Sequence, residues 1–333
     1  MIGLVHPRAI VVGSTLAIGC ALLLLLAIGT GEFAMSPGEV ISGLVGSDPA
    51  ASFIVRDLRL PRALCAVLAG AALGLSGAIF QSLTRNPLGS PDIVGFTYGA
   101  GVGALIVITM FDGSGAIVSF GALAGGALTA LAVYALAFTR GSVSGHRLVL
   151  VGIAVSALAL AVTDFLLSRA RIEDAQEATR WLLGSLNTRG WEDVWPLLGG
   201  FIVLAPALAT AGRPLRALEL GDDAAHGLGV RVERARLCLV MLAVALVSGV
   251  AVAVGPVLFV ALTAPQIARR VAHSPGPALV LSALTGAALV LAADIAAQRI
   301  VPSTPLPVGV MTGAFGGLYL AWLLGRGWRK GAT

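Results

Sequence analysis

RDLRLPRALCAVLAGAALGLSGAIFQSLTRNPLGSPDIVGFTYGAGVG, residues 56–103, holds the pattern that decides the fold. After Arg62 no charged side chain occurs until Arg85. At about 1.5 Å per residue, a helix over 61–82 covers the ~30 Å apolar core of a bilayer. Pro61 suits the first turn of that helix, where its missing N–H costs nothing. Gln81 falls at the far end. Arg85-Asn86-Pro87-Leu88 reads as a turn, because Pro87 holds Asn86 extended. Ser90-Pro91-Asp92 then reads as the cap of a second apolar run, 92–110. Gly70, Gly74 and Gly77 mark one face, and Gly95, Gly99 and Gly103 another. In water such glycines weaken a helix, but in lipid small residues four apart let backbones approach closely.

The same pattern extends in both directions. Hydrophobic residues make up 57% of the 333 residues and charged residues 12%, and mean hydropathy is +0.93. Soluble domains carry roughly 25% charge, so lipid is the solvent for most of this chain. Further apolar runs lie near 9–29, 115–138, 147–168, 192–211, 235–254, 277–298 and 307–325, and Gly121 and Gly125 mark a third small-residue face. The expected fold is an all-α, polytopic transmembrane bundle forming one domain over 1–333. The first run, with His6 and Arg8 before it and no convincing cleavage site after it, reads as a retained span.

Basic residues set the orientation. With the N-terminus in the cytoplasm, 14 of the 22 basic residues fall inside, among them Arg8, Arg85, Arg140, Arg236, Arg269, Arg270, Arg326, Arg329 and Lys330. Arg56, Arg59, Arg62 and Arg299 fall outside with most acids, including Glu32 and Glu39. That split obeys the positive-inside rule and places both termini in the cytoplasm. The pI near 9.7 therefore reflects topology and does not indicate nucleic-acid binding. Two outer loops carry structure of their own. Ser36, Pro37 and Glu39 form a capping box opening a short amphipathic helix to Val45. Glu173 to Trp191 reads as an interfacial lid.

Several chemistries are excluded. Lys330, followed by Gly331, is the single lysine, so no Walker A loop exists and ATP with its magnesium must bind another chain. Cys20, Cys65 and Cys238 lie far apart and read as small apolar residues of the bundle. The four histidines are isolated, so no metal site is expected. No catalytic constellation is visible, and the chain reads as a non-enzyme without a cofactor of its own.

The stretch 56–103 resembles the signature of FecCD-family ABC importer permeases, a family that includes the vitamin B12 permease. Three later segments agree: LGDDAAHGLGV at 220–230, GPVLFVALTAPQIAR at 255–269, and Asp294 followed by LPVGVMTG at 306–313. Together they cover nearly the whole chain in order. The resemblance supports a short tenth span at 257–271, which contains Pro265.

The resemblance implies ten helices per subunit and a homodimer or close heterodimer, with the substrate passing along the subunit interface. It also implies two ATPase subunits on the cytoplasmic side, and a periplasmic or lipid-anchored binding protein that delivers an iron chelate. The coupling segment, about 214–230, follows the sixth span. It reads as two short helices broken near Gly221, with Asp222 as second N-cap and Gly229 as stop, and with Ala225 in the motif. Leu218, Leu220, Leu228 and Val230 give it an apolar face too short to span. Arg56, Arg59 and Arg299 are expected to dock the binding protein, since the guanidinium fork takes a carboxylate bidentately. Gln81, Asn86, Ser90 and Thr97 are candidate pathway groups. Asp294 lies within a span, where an unpaired carboxylate is costly. A helix–helix hydrogen bond is its expected role.

Pro265-Gln266 is similar to ferric-siderophore permeases of the enterobactin type, so a siderophore is the expected cargo, with cobalamin or haem as alternatives. Ser303-Thr304 and Pro305 depart from the acidic residue common before the family's LPVG. An ion-coupled secondary transporter using Asp294 or Asp164 is the rival from another class, and a membrane-embedded enzyme is more remote. Inner-membrane residence in a bacterium accompanies the family reading.

Overall fold

The computed structural model describes residues 7–31, 35–92, 94–139, 141–274, 276–301 and 305–331. Glu32, Arg140, Ser303 and Thr304, drawn on above, lie outside the described residues, as do the side chains of Arg326, Arg329 and Lys330.

Pro61 has no N–H to offer its helix, and its ring crowds the carbonyl four residues back. The backbone answers by loosening: Phe53–Arg59 forms a π-helical stretch in which the Leu60 N–H reaches the Val55 carbonyl. Helical structure is therefore continuous from Pro49 to Thr84 and does not begin at 61. Its parts are α3 (Pro49–Ser52), the π stretch, and α4 (Leu60–Thr84). Before them come α1 (Pro7–Gly29) and α2 (Pro37–Val45), and after them α5 (Phe96–Phe111) and α6 (Ala116–Ala137). A small hairpin, β1 (Phe138–Thr139) with β2 (Ser142–Val143), leads to α7 (Gly145–Arg169) and α8 (Ile172–Leu182). The rest comprises α9 (Trp191–Glu219), α10 (Asp222–Gly227), α11 (Val232–Val254), α12 (Val260–Ala272), α13 (Leu279–Ile300) and α14 (Val308–Gly331).

Each expected span has its helix. Among the described residues, seven are long and apolar enough to cross a membrane, and Phe96–Phe111 and Val308–Leu323 are shorter apolar helices. The helix α12, with 13 residues, rises roughly 20 Å and cannot cross alone. The non-helical turn 255–259 precedes it, with Gly255, Pro256 and Val257 buried in protein, where non-helical backbone is tolerated at membrane depth. The segment before α5 behaves likewise. That helix starts at Phe96 behind Gly95, whose φ of 92° only glycine adopts cheaply, so Ser90-Pro91-Asp92 does not cap it. Asp92 instead accepts the Thr97 hydroxyl at 2.8 Å.

The centre of the bundle is α4. Its most apolar window is 78% buried, against 6% for the peripheral α1. It packs on α13, α11, α12 and α9. Gly70 lies on the Gly286 backbone, Gly74 on Ser282 and Gly77 on Ala261, and a Cβ at any of them would overlap those backbone atoms. Gly99 and Gly103 meet Gly121, Gly125 and Thr129 in the same way between α5 and α6. The three small-residue faces thus act as contact surfaces. Around this core, Leu22, Leu131, Val203 and Val280 are each more than 60% exposed, as lipid-facing residues are. Cys65 is buried and Cys20 half-buried, whereas Cys238 is exposed on α11, so the bundle-interior reading fails for Cys238.

The alternating helices define two ends of the bundle, here called the Trp191 end and the Glu219 end. At the first, α2 opens on the expected box: Glu39 N–H donates to Ser36 Oγ at 3.3 Å, and Ser36 N–H donates to the Glu39 carboxylate at 2.6 Å. The Ser36 N–H, and after it the Ser36 hydroxyl, hold the Glu39 carboxyl below its ordinary range. The expected lid is α8 and the turn after it. Ser185 N–H donates to Val254 O at 2.8 Å and Gly309 N–H to Gly184 O at 3.2 Å, so the turn covers the ends of α11 and α14. Asn187 Nδ2 donates to Pro305 O at 3.2 Å.

Candidate functional site

Gly221 ends α9 and allows the chain to turn sharply. Its φ of 113° makes it the N-cap of α10, which removes that role from Asp222. The segment is also not two short helices. Its first half is the last turns of the 29-residue α9, and its second is the six-residue α10. Gly229, with φ 79°, stops the second as expected.

Freed from capping, the Asp222 carboxylate joins three elements. Both its oxygens accept from Arg236 Nη2 at 2.9 Å, and Oδ1 also accepts from Arg85 at 3.0 Å. Arg236 lies on α11 with its side chain 2% exposed, and it also bonds Glu233 at 2.7 Å. Arg85 is the left-handed cap of α4. Glu219 accepts the Ser82 hydroxyl at 2.7 Å, and Glu233 accepts the Val143 amide at 3.2 Å. The short helix α10 is thus fastened to both α4 and α11.

The expected apolar face divides. Leu218 and Ala225 are buried against the bundle and Val230 is half-buried, while Leu220 and Leu228 are 70% and 65% exposed. Two large apolar side chains therefore stand on a polar helix end of the bundle.

Beside α10 lies a pocket of about 420 Å³ lined by Gln81, Arg85, Asn86, Pro87, Glu219, Gln266, Arg269 and Arg270. Gln81 is 2% exposed. Its Nε2 donates to Leu262 O at 2.9 Å, and its Oε1 accepts from Arg269. It thus ties α4 to α12. Asn86 closes its own turn, accepting Leu88 N–H at 2.9 Å. Ser90 and Thr97 are 1% and 3% exposed, packed inside the chain and away from any open face in this conformation. Of the four candidate pathway residues, the structure brings Gln81 and Asn86 together and sets the other two apart.

At the Trp191 end, Asp294 is 1% exposed. Arg62 Nε lies 3.0 and 3.2 Å from its two oxygens and Nη2 lies 2.7 Å from Oδ1. Gln298 Nε2 donates to Oδ2 at 2.8 Å. The expected helix–helix bond is thus a bidentate ion pair between α4 and α13. Arg62 is the partner the sequence did not reveal, since 232 positions separate the two. Arg56 and Arg59 leave the π stretch toward backbone: Arg56 Nε donates to Leu44 O at 3.1 Å, and Arg59 Nη1 to Ile28 O at 2.9 Å. Trp191 Nε1 donates to Arg56 O at 3.0 Å. Arg56 and Arg299 remain exposed.

The sequence profile of the FecCD transport family matches residues 19–326. The ferric enterobactin transport system permease protein FepG of Escherichia coli K12 is 41% identical, over 96% of this chain and 97% of its own. The achromobactin transport system permease protein CbrC of Dickeya dadantii is also 41% identical, covering 92% and 90% of the two chains. A solved inward-facing structure of a transporter described as metal-chelate type superposes with a TM-score of 0.85, at 25% identity, over 94% of this chain and 98% of that one. With the apolar helices, the glycine contacts and the ordered motifs in place, this chain belongs to the FecCD transport family and is a multi-pass membrane permease.

Proposed function

We propose that this chain is the membrane-spanning subunit of a binding-protein-dependent importer for ferric siderophores, driven by ATP hydrolysis on separate subunits. The observation that carries the reading is the α10 segment: a helix fastened by Asp222 to α4 and α11 and flanked by Leu220 and Leu228, both exposed. Apolar knobs on a rigid lever suit a groove in an ATPase, whose closure would pass into the bundle as a rigid-body push. In this reading the Glu219 end faces the cytoplasm, as its arginines require, and both termini lie there in a bacterial inner membrane.

A second permease subunit, identical or related, completes the conduit. Escherichia coli has two Fe(3+) dicitrate permeases similar to this chain, FecC and FecD, at 35% and 37% identity. The binding protein docks on the outer face, with Arg56, Arg59 and Arg299 as its carboxylate receivers. Arg56 already holds Leu44 O with one edge, which fixes the direction of its fork. Gln81 and Asn86 are the pathway groups at the inner mouth, and Ser90 and Thr97 serve there only if the re-entrant segment moves.

The test is uptake in a strain deleted for this gene. Radiolabelled ferric siderophore uptake is expected to fall on deletion and return on complementation, with labelled cobalamin unaffected. Loss of cobalamin uptake with ferric chelates untouched would contradict the cargo assignment.

A further inference from the structure

Three guanidinium groups, from Arg85, Arg269 and Arg270, line the pocket at the Glu219 end against a single carboxylate, Glu219. That carboxylate already accepts from Ser82. A concave site with excess positive charge focuses its field on anions. Its volume of about 420 Å³ suits a small molecule. The three arginines are held differently. Arg269 is fixed through Gln81. The Arg270 guanidinium lies over the Trp322 ring at 5.7 Å, a contact that uses its face and leaves its N–H edge for an acceptor in plane. Arg85 makes one 3.0 Å contact to Asp222, with both side chains more than a third exposed. Asp222 keeps its two contacts to Arg236 whether or not Arg85 stays.

We propose that this pocket is an oxyanion-binding vestibule that receives the negatively charged oxygens of the iron chelate as it leaves the chain. Arg269 and Arg270 form the standing part of the site, and Arg85 passes from Asp222 to the bound anion. The inference rests on the importer reading and deepens it: the cargo is an anionic iron(III) chelate, and its release site shares an arginine with the coupling helix. A push on α10 would withdraw or return Arg85 and so change the affinity of the vestibule.

The test uses the purified full-length chain in phosphatidylcholine nanodiscs, titrated calorimetrically with ferric citrate, with a neutral ferric trihydroxamate and with inorganic phosphate. Ferric citrate is expected to bind with an affinity that falls as salt rises, and the neutral chelate to bind far more weakly. Losing one charged hydrogen-bond donor weakens such binding by about tenfold or more, so Arg270→Gln should do so. That position is exposed, and the variant is expected to keep its fold. Arg269→Lys should retain more affinity than Arg269→Gln. Several outcomes overturn the proposal. They are no ferric citrate binding, equal binding of the neutral chelate, phosphate binding as tight as ferric citrate (a free-anion site), and no effect of Arg270→Gln. Loss of ATPase association in the arginine variants with chelate binding intact would make the pocket a protein socket and would also overturn it. The two readings fail separately. If the wild-type chain supports no iron uptake in cells, the importer reading falls. If it does and Arg270→Gln binds ferric citrate normally, only the vestibule falls.

Discussion

The two ends of the bundle each hold an aspartate gripped by arginine, and they use it in opposite ways. At the Trp191 end, Asp294 is 1% exposed and joins α4 to α13 across a glycine-packed contact. Arg62 and Gln298 both bond its carboxylate, so the pair acts as a frame. At the Glu219 end, the Asp222 side chain is 38% exposed and holds a six-residue helix flanked by the exposed Leu220 and Leu228. There the ion pairs fasten a short helix to α4 and α11, and in the proposed reading that helix is the lever. On that reading one grip resists motion and the other transmits it, and the difference lies in burial and in what each aspartate joins.

Breaking the frame gives the largest expected effect. Asp294→Ala leaves Arg62 without its counter-charge inside the bundle, and removing one partner of a buried pair costs about 3–5 kcal/mol. Thermal unfolding in detergent should show a marked loss. Replacing both residues by apolar ones of similar volume should recover most of it, since the pair's net worth is small once desolvation is counted. Gly286→Leu comes next. A side chain there overlaps the Gly70 backbone, so α4 and α13 must separate, and both folded yield and melting temperature should fall.

Releasing the lever is milder for the fold and more severe for work. Arg236 keeps Glu233 after Asp222→Ala and Asp222 is itself 38% exposed, so the stability cost is that of lost charged hydrogen bonds, on the order of 2 kcal/mol. ATP-driven import should be lost while the protein still inserts and purifies, and a stability loss as large as that of Asp294→Ala would erase the contrast between the two ends. The smallest effect belongs to the α2 cap. The Glu39 carboxyl is held below its ordinary value by the Ser36 N–H and hydroxyl. Its contribution is therefore full above about pH 4.5, the ordinary value, and fades as pH falls through the lowered one. Amide exchange over residues 36–41 should quicken in that acidic window, and Glu39→Gln should flatten the dependence.

What the sequence made legible was local. Apolar runs located nine of the expected spans, the tenth resting on the family resemblance; the Ser36–Glu39 spacing located a capping box, and glycines four apart located the contact faces, because each of these signals is local in the backbone. Partners across the fold were not legible. Arg62 looked like one more outer charge, and nothing near it points to Asp294. Asp222 after a glycine looked like a cap, because acidic residues often are. Only the approach of Arg85 and Arg236 shows that its carboxylate serves tertiary contacts. The start of α5 was misplaced because Asp92 and Thr97 bond each other beside buried non-helical backbone that apolar composition disguises as helix.

The central claim is that this chain is driven by another chain's ATP hydrolysis through Leu220 and Leu228, the outward leucines that flank α10. The direct measurement is ATP-dependent ferric chelate import in proteoliposomes holding the permease, its ATPase and its binding protein, comparing wild type with Leu220→Ser/Leu228→Ser. The account predicts normal insertion of the variant with import and ATPase retention both lost. Undiminished import by the variant, or wild-type import driven by an ion gradient without ATP, would contradict it.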